Sequence, residues 1–131
     1  MLNFPVEEIE PVFVDPATDY RITDYQDGVK IYYAQNPLND LFSFSISFDV
    51  GRRYEDRLGA AAMFLDRSGT GLYSPGDLKK EWYKLGTSFG ISAGDSRTSI
   101  RISGLEENFE ASLALMLDYV QHPEASQSTL D

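Results

Sequence analysis

From Leu41 to Val50 the chain reads LFSFSISFDV. Phe42, Phe44, Ile46, Phe48 and Val50 alternate with Ser43, Ser45, Ser47 and Asp49, the period of a strand with one buried and one wet face. Upstream, the runs YRITDY and VKIYYAQ flank QDGV. Asp27-Gly28 between two β-prone runs predicts a hairpin with a type I′ turn, which requires positive φ at both central residues. NPLND then makes a loop.

The period changes after the strand. Gly59 to about Arg67 (GAAAMFLDR) is helical and apolar nearly all round, so it is expected in the core rather than on the surface. SPGDLKKEWYKLG carries both ends of a second helix. Ser74 is the candidate cap, Pro75 suits the first turn, Asp77 favours the positive end of the dipole, and Gly86 is the stop. Leu78, Trp82 and Leu85 form its packing stripe. TSFGISAG and RTSIRISG predict two strands joined through Gly94-Asp95-Ser96. Phe89, Ile91 and Ala93 share a face of the first, and Ile100 and Ile102 a face of the second. LEENFEASLALMLDYVQH is an amphipathic helix with Phe109, Leu113, Met116, Leu117 and Val120 inward and Glu106 and Glu107 at its N-terminal end. Pro123 ends it. The order is β-β-β-α-α-β-β-α: an α+β fold, an antiparallel sheet with helices packed on one face.

Residues 1–19 break this pattern. Pro5, Pro11 and Pro16 interrupt any helix and the segment is acidic, so it is expected to be an arm or inter-module linker, with the folded part over 20–131. In all, 131 residues suit one domain, and 42% hydrophobic content suits a folded one. The net charge of −10 makes a nucleic-acid partner unfavourable, because such a surface repels phosphate. No run approaches the roughly 18–20 apolar residues that span a bilayer, so no membrane partner is expected. The start, MLNFPVEEIE, lacks the basic and apolar regions of a signal peptide. With no cysteine, disulfides, cysteine-ligated zinc and a thiol nucleophile are excluded. The compartment stays open between bacterial periplasm and cytoplasm.

Chemistry is sparse. The single histidine, His122, stands at a helix end before a proline and reads as a surface or helix-end cation. Gly94-Asp95-Ser96 matches the opening of one esterase nucleophile block, but a turn explains it, and no histidine follows an aspartate at the spacing that class needs. SGTG at 68–71 lacks the following Gly-Lys-Ser/Thr of a phosphate loop. Asp66 and Arg67 can pair locally, at little energetic consequence.

Several of these stretches together, namely GVKIYYAQN, SFSISFDVGRRYED, GAAAMFLDRSGT and SPGDLKKEWYKLG through to His122-Pro123, resemble the first half of a module of the insulinase, pitrilysin and mitochondrial processing peptidase family. The resemblance runs from about Tyr20 to Pro123. Gly51-Arg52-Arg53-Tyr54-Glu55, Gly69-Thr70, Leu85-Gly86 and Ser103-Gly104-Leu105 are its most specific parts. Catalytic modules of that family carry histidine-x-x-glutamate-histidine ahead of the Gly-Thr pair. The spacing puts two zinc-binding histidines on one helix face and the glutamate beside the bound water. Aligned on Gly69-Thr70, those places fall to Ala60, Met63 and Phe64, none of which can ligate zinc or accept a proton. Sliding by three puts them at Met63, Asp66 and Arg67, still without a zinc site.

The resemblance therefore implies a catalytically degenerate, C-terminal-type module: inactive alone, with no cofactor of its own, and with zinc only in a partner module. The parent protein would be a zinc metallopeptidase. The implied partners are peptide substrate and an active peptidase module, in the same parent chain or a partner subunit. The apolar helix would then be packing that took the place of chemistry. Substrate contacts are unassigned. Ser43, Ser45 and Ser47 are candidates, with a merely solvated face as the plainer explanation, and an exposed sheet edge could take up extended peptide. An isolated half module should leave surface uncovered, so self-association or exchange of the proline-rich arm is expected. The alternative left open is a stand-alone acidic protein-interaction domain with no peptidase role.

Overall fold

The computed structural model describes residue 13 and residues 15–125. They fall into two compact units that part between Pro37 and Leu38. Most of the expected arm, 1–19, and the tail from 126 lie outside the described residues.

The first unit holds a hairpin of β1 (Arg21–Gln26) and β2 (Val29–Tyr33). Its turn is not type I′. Gly28 has φ of 80°, but no described non-glycine residue has positive φ, so Asp27 keeps ordinary geometry. The pairing slips by one residue between Asp24 and Gln26. A single left-handed glycine beside a bulge is the other common way to close a hairpin, and it leaves only Gly28 in the conformation that glycine adopts without steric cost. Ile22, Tyr25, Val29, Ile31, Tyr32 and Tyr33 are all exposed.

The second unit runs β3 (Leu41–Phe48), α1 (Leu58–Asp66), β4 (Gly69–Thr70), α2 (Pro75–Lys84), β5 (Ser88–Ala93), β6 (Thr98–Leu105), α3 (Phe109–Gln121) and β7 (Pro123–Glu124). A 3-10 turn over Glu106–Asn108 leads into α3. With the hairpin in front, this is the expected α+β order, with two short strands added. The main sheet is antiparallel, in the order β3-β6-β5. The pair β4-β7 is a separate clasp that joins the residues after α1 to those after α3.

Register explains the core. Phe44 lies opposite Ile102, which lies opposite Phe89; Ile46 lies opposite Ile100, which lies opposite Ile91. Helical aromatics close over this face. Phe109 meets Phe42 and Phe44 edge-on, Trp82 stacks on Phe89 at 5.5 Å, and Tyr119 meets Phe89 edge-on. Ile102 at the centre is fully buried. Such aromatic pairs add about 0.5–1.5 kcal/mol each beyond the area they bury.

The ends of α2 follow the sequence. Ser74 Oγ accepts from the Asp77 amide and donates to the Asp77 carboxylate. Gly86 is left-handed at φ 60°, with its N–H on the Tyr83 carbonyl and the Thr87 N–H on that of Trp82. That pair of bonds is a Schellman stop. Lys80 and Ser74 together hold the Asp77 carboxyl below its usual range.

Two expectations about the core need correction. On α3 the buried residues are Ser112, Met116 and Tyr119, while Leu117 is exposed and Phe109, Leu113 and Val120 are half-buried. The buried line runs through positions 112, 116 and 119, so Phe109, Leu113 and Val120 flank it and Leu117 is turned past its edge. Phe48, the last residue of β3, and Val50, two places beyond it, are exposed; the ring contacts from α3 reach Phe42 and Phe44.

Candidate functional site

Ala60, Met63 and Phe64 all lie on α1, where the family motif would place its ligands. Positions 60 and 64 are i and i+4 and share a face, with 63 beside them. That face is not core. Leu65 is buried at 8% exposure, whereas Met63 is 63% and Phe64 37% exposed, and Ala60 is also exposed. The inward stripe is Leu58, Ala62 and Leu65, on the side that meets β5. The expectation of a helix buried all round is therefore overturned. α1 has one neighbouring layer, so it has only one inner face, and apolar composition cannot create a second. In the alternative register, Asp66 ends α1 and Arg67 caps it, both exposed.

The end of α1 is held by α3. The buried Tyr119 hydroxyl donates to the Leu65 carbonyl and lies 3.3 Å from that of Ser68. Burial, aided by the negative charge of Asp66, pushes this phenol up to about 12. The Ser68 hydroxyl donates to the Phe64 carbonyl at 2.7 Å. Gly69 and Thr70 are buried just beyond, and a Cβ on Gly69 would stand 2.2 Å from the Tyr73 carbonyl oxygen. The Gly-Thr pair is thus a tight packing and turn element.

Gly51-Arg52-Arg53-Tyr54-Glu55 is likewise scaffold. A Cβ on Gly51 would lie 2.5 Å from the Asp95 backbone, so only glycine permits this approach to the β5–β6 turn. Arg52 and Arg53 donate their amides to the carbonyls of Gly94 and Asp95, and the Arg52 guanidinium pairs with Asp95 at 2.8 Å. Arg57 forks onto Glu55, which holds that carboxyl below its usual range. Asp95 and Ser96 are a turn that receives this segment.

His122 caps the end of α3, with Nδ1 3.2 Å from Asp118. A shallow groove beside it is lined by Leu72, Tyr73, Glu81, Leu85, Leu115 and Asp118. Among the described residues no three His, Asp or Glu side chains converge as a metal set would.

The sheet face turned away from the helices is polar. Register places Ser43, Ser103 and Ser88 in one row, Ser45, Arg101 and Gly90 in the next, and Ser47, Ser99 and Ser92 in a third. Sequence reading found only the β3 part of it. TSFGISAG and RTSIRISG also put serine at alternate places, but pairing was needed to show that these serines share a face.

The fold has solved counterparts. A crystal structure described as the inactive domain of an M16 peptidase from Pseudomonas fluorescens superposes with a TM-score of 0.73 at 19% identity, over 86% of this chain and 28% of that one. A protease from Helicobacter pylori gives 0.66 at 18% identity, over 83% of this chain and 27% of that one. The periplasmic protease PqqL from Escherichia coli gives 0.68 at 15% identity, over 98% of this chain and 16% of that one. The chain has an M16-like fold. It spans little more than a quarter of the first two structures and about a sixth of the third. No family model and no curated protein matches the sequence.

Proposed function

We propose that this chain is a non-catalytic module of a zinc metallopeptidase of the insulinase type, helping to enclose and bind peptide beside an active module. The observation that carries this reading is the likeness to the inactive M16 domain, over 86% of the chain. The chemistry of α1 agrees with it. Ala60, Met63 and Phe64 face outward on one helix, and none can hold a metal or activate water. Zinc would reside only in the active module, in the same parent chain or in a partner subunit. This chain would contribute surface. The serine rows around Arg101 offer hydroxyl donors and acceptors that accommodate many peptide sequences without demanding one.

Two measurements test the proposal. Incubated with one equivalent of zinc and desalted, the purified chain should retain none and should not cleave a fluorogenic peptide. Retention near one equivalent with chelator-sensitive cleavage would overturn the reading. In an amide-resolved NMR titration with an unstructured peptide, shifts should gather on Ser43, Ser45, Ser47, Ser99 and Arg101. Shifts confined to other surfaces would remove the serine face from the role.

A further inference from the structure

We propose that the outer edge of β3, over Phe42–Phe48, is a self-pairing interface. Two copies of the chain join these strands antiparallel about Ser45, merging two three-stranded sheets into one of six strands.

β3 is the outermost strand of its sheet. Its ladder to β6 runs without a register shift, so the strand has no bulge, and alternate residues turn their N–H and C=O groups away from β6. Within this unit the other edge strand, β5, has α1 beside it, whereas β3 has close backbone contact with β6. Edge strands are normally blunted by lysine, proline, a bulge or an inward charge. The stretch from 42 to 48 has none of these, in a chain of which 24% is charged.

The strand also complements itself. Pairing about Ser45 sets Phe44 opposite Ile46 of the second copy, Ser43 opposite Ser47, and Phe42 opposite Phe48. Every pair matches like with like, so the apolar face and the serine face each continue across the dyad. A one-residue slip would set serines opposite aromatics and turn one copy over, which the buried face forbids. Phe48, 49% exposed in the single chain, gains an aromatic neighbour. The pairing is isologous and closes at two copies, so it yields a dimer rather than a filament. The net charge of −10 on each chain opposes it, so added salt should tighten it.

Light scattering coupled to gel filtration reads the outcome on the 131-residue chain. The expected result is a concentration-dependent rise from 14.7 kDa towards twice that mass, promoted by salt. Two double variants test the register at exposed serines. Ser43→Lys with Ser47→Lys places like charges opposite each other twice and should weaken the dimer about tenfold. Ser43→Lys with Ser47→Glu places opposite charges there and should preserve it. Both variants should give the same circular dichroism as the parent. A monomer at every concentration, or equal dissociation of the two variants, would overturn the proposal.

Discussion

The two faces of the β3-β6-β5 sheet are made by the same residues' neighbours and share one register, yet they behave as different materials. One carries Phe44, Ile102 and Phe89 in a row, covered by Trp82, Phe109 and Tyr119. The other carries serine in nearly every place, with Arg101 in the middle. The covered face supplies stability, and its side chains are fixed by their neighbours' shapes. The open face contributes little to folding, because solvent already satisfies its hydroxyls. The contrast predicts that substitutions one residue apart along a strand differ several-fold in cost.

The largest effect belongs to Ile102. It is fully buried between Phe44 and Phe89, so Ile102→Ala removes methyl groups that nothing can replace. The expected loss is about 2–5 kcal/mol, seen as a lower midpoint in urea unfolding. A loss below about 1 kcal/mol would mean that the helical layer does not pack as described.

Tyr119 sharpens the comparison through pH. Its phenol, ordinarily near 10, is raised to about 12 in the fold. Below about pH 10 it is protonated in both states, and its contribution is whole. As pH rises from about 10 to about 12 the unfolded chain loses the proton while the fold retains it, so stability falls, by about 2–3 kcal/mol in total. Tyr119→Phe should flatten that alkaline loss. At neutral pH it should cost about 1–2 kcal/mol, because the Leu65 and Ser68 carbonyls lose the phenol as a donor and Leu65 keeps the Ser68 amide.

These residues also mark how far the sequence could be read. Alternation in β3 and the capping signals of α2 gave strand sidedness and helix ends directly, because each depends on residues a few places apart. α1 did not yield to the same approach. Its apolar run has no polar face to betray an orientation, and only β5 determines that Leu65 turns inward while Met63 and Phe64 turn out. Asp27-Gly28 marked the hairpin but not its turn type, since one left-handed glycine plus a bulge closes it as well as two left-handed residues. Ser112 was not among the inward positions read from the sequence. It is fully buried because Thr87, 25 residues earlier, meets its hydroxyl at 2.7 Å. Of the candidate site, that Ala60, Met63 and Phe64 share one helix was legible. The serine rows were not, because they exist only once three strands are in register.

Ser112→Ala is the next smaller test. It leaves the Thr87 hydroxyl buried with only the Leu85 carbonyl, at 3.3 Å, as a partner. The expected cost is about 1 kcal/mol. The double substitution with Thr87→Val should cost less than the sum of the two single ones, because the hydroxyls serve each other.

The smallest effect is expected on the open face, and there a small number is the informative outcome. Ser45, Ser47 and Ser92 are exposed, and their side chains have no partner among the hydrogen bonds described above. Replacing each by alanine should move stability by less than about 0.5 kcal/mol, because solvent already satisfies the hydroxyl and no neighbouring layer loses a contact. Ser45→Ala is the decisive one, since it lies one place from Phe44 in sequence and on the opposite face. If it cost as much as a core truncation, the serine rows would have to be packed against another part of the chain. If it costs nothing while weakening peptide binding in the NMR titration, stability and recognition are divided between the two sides of one sheet.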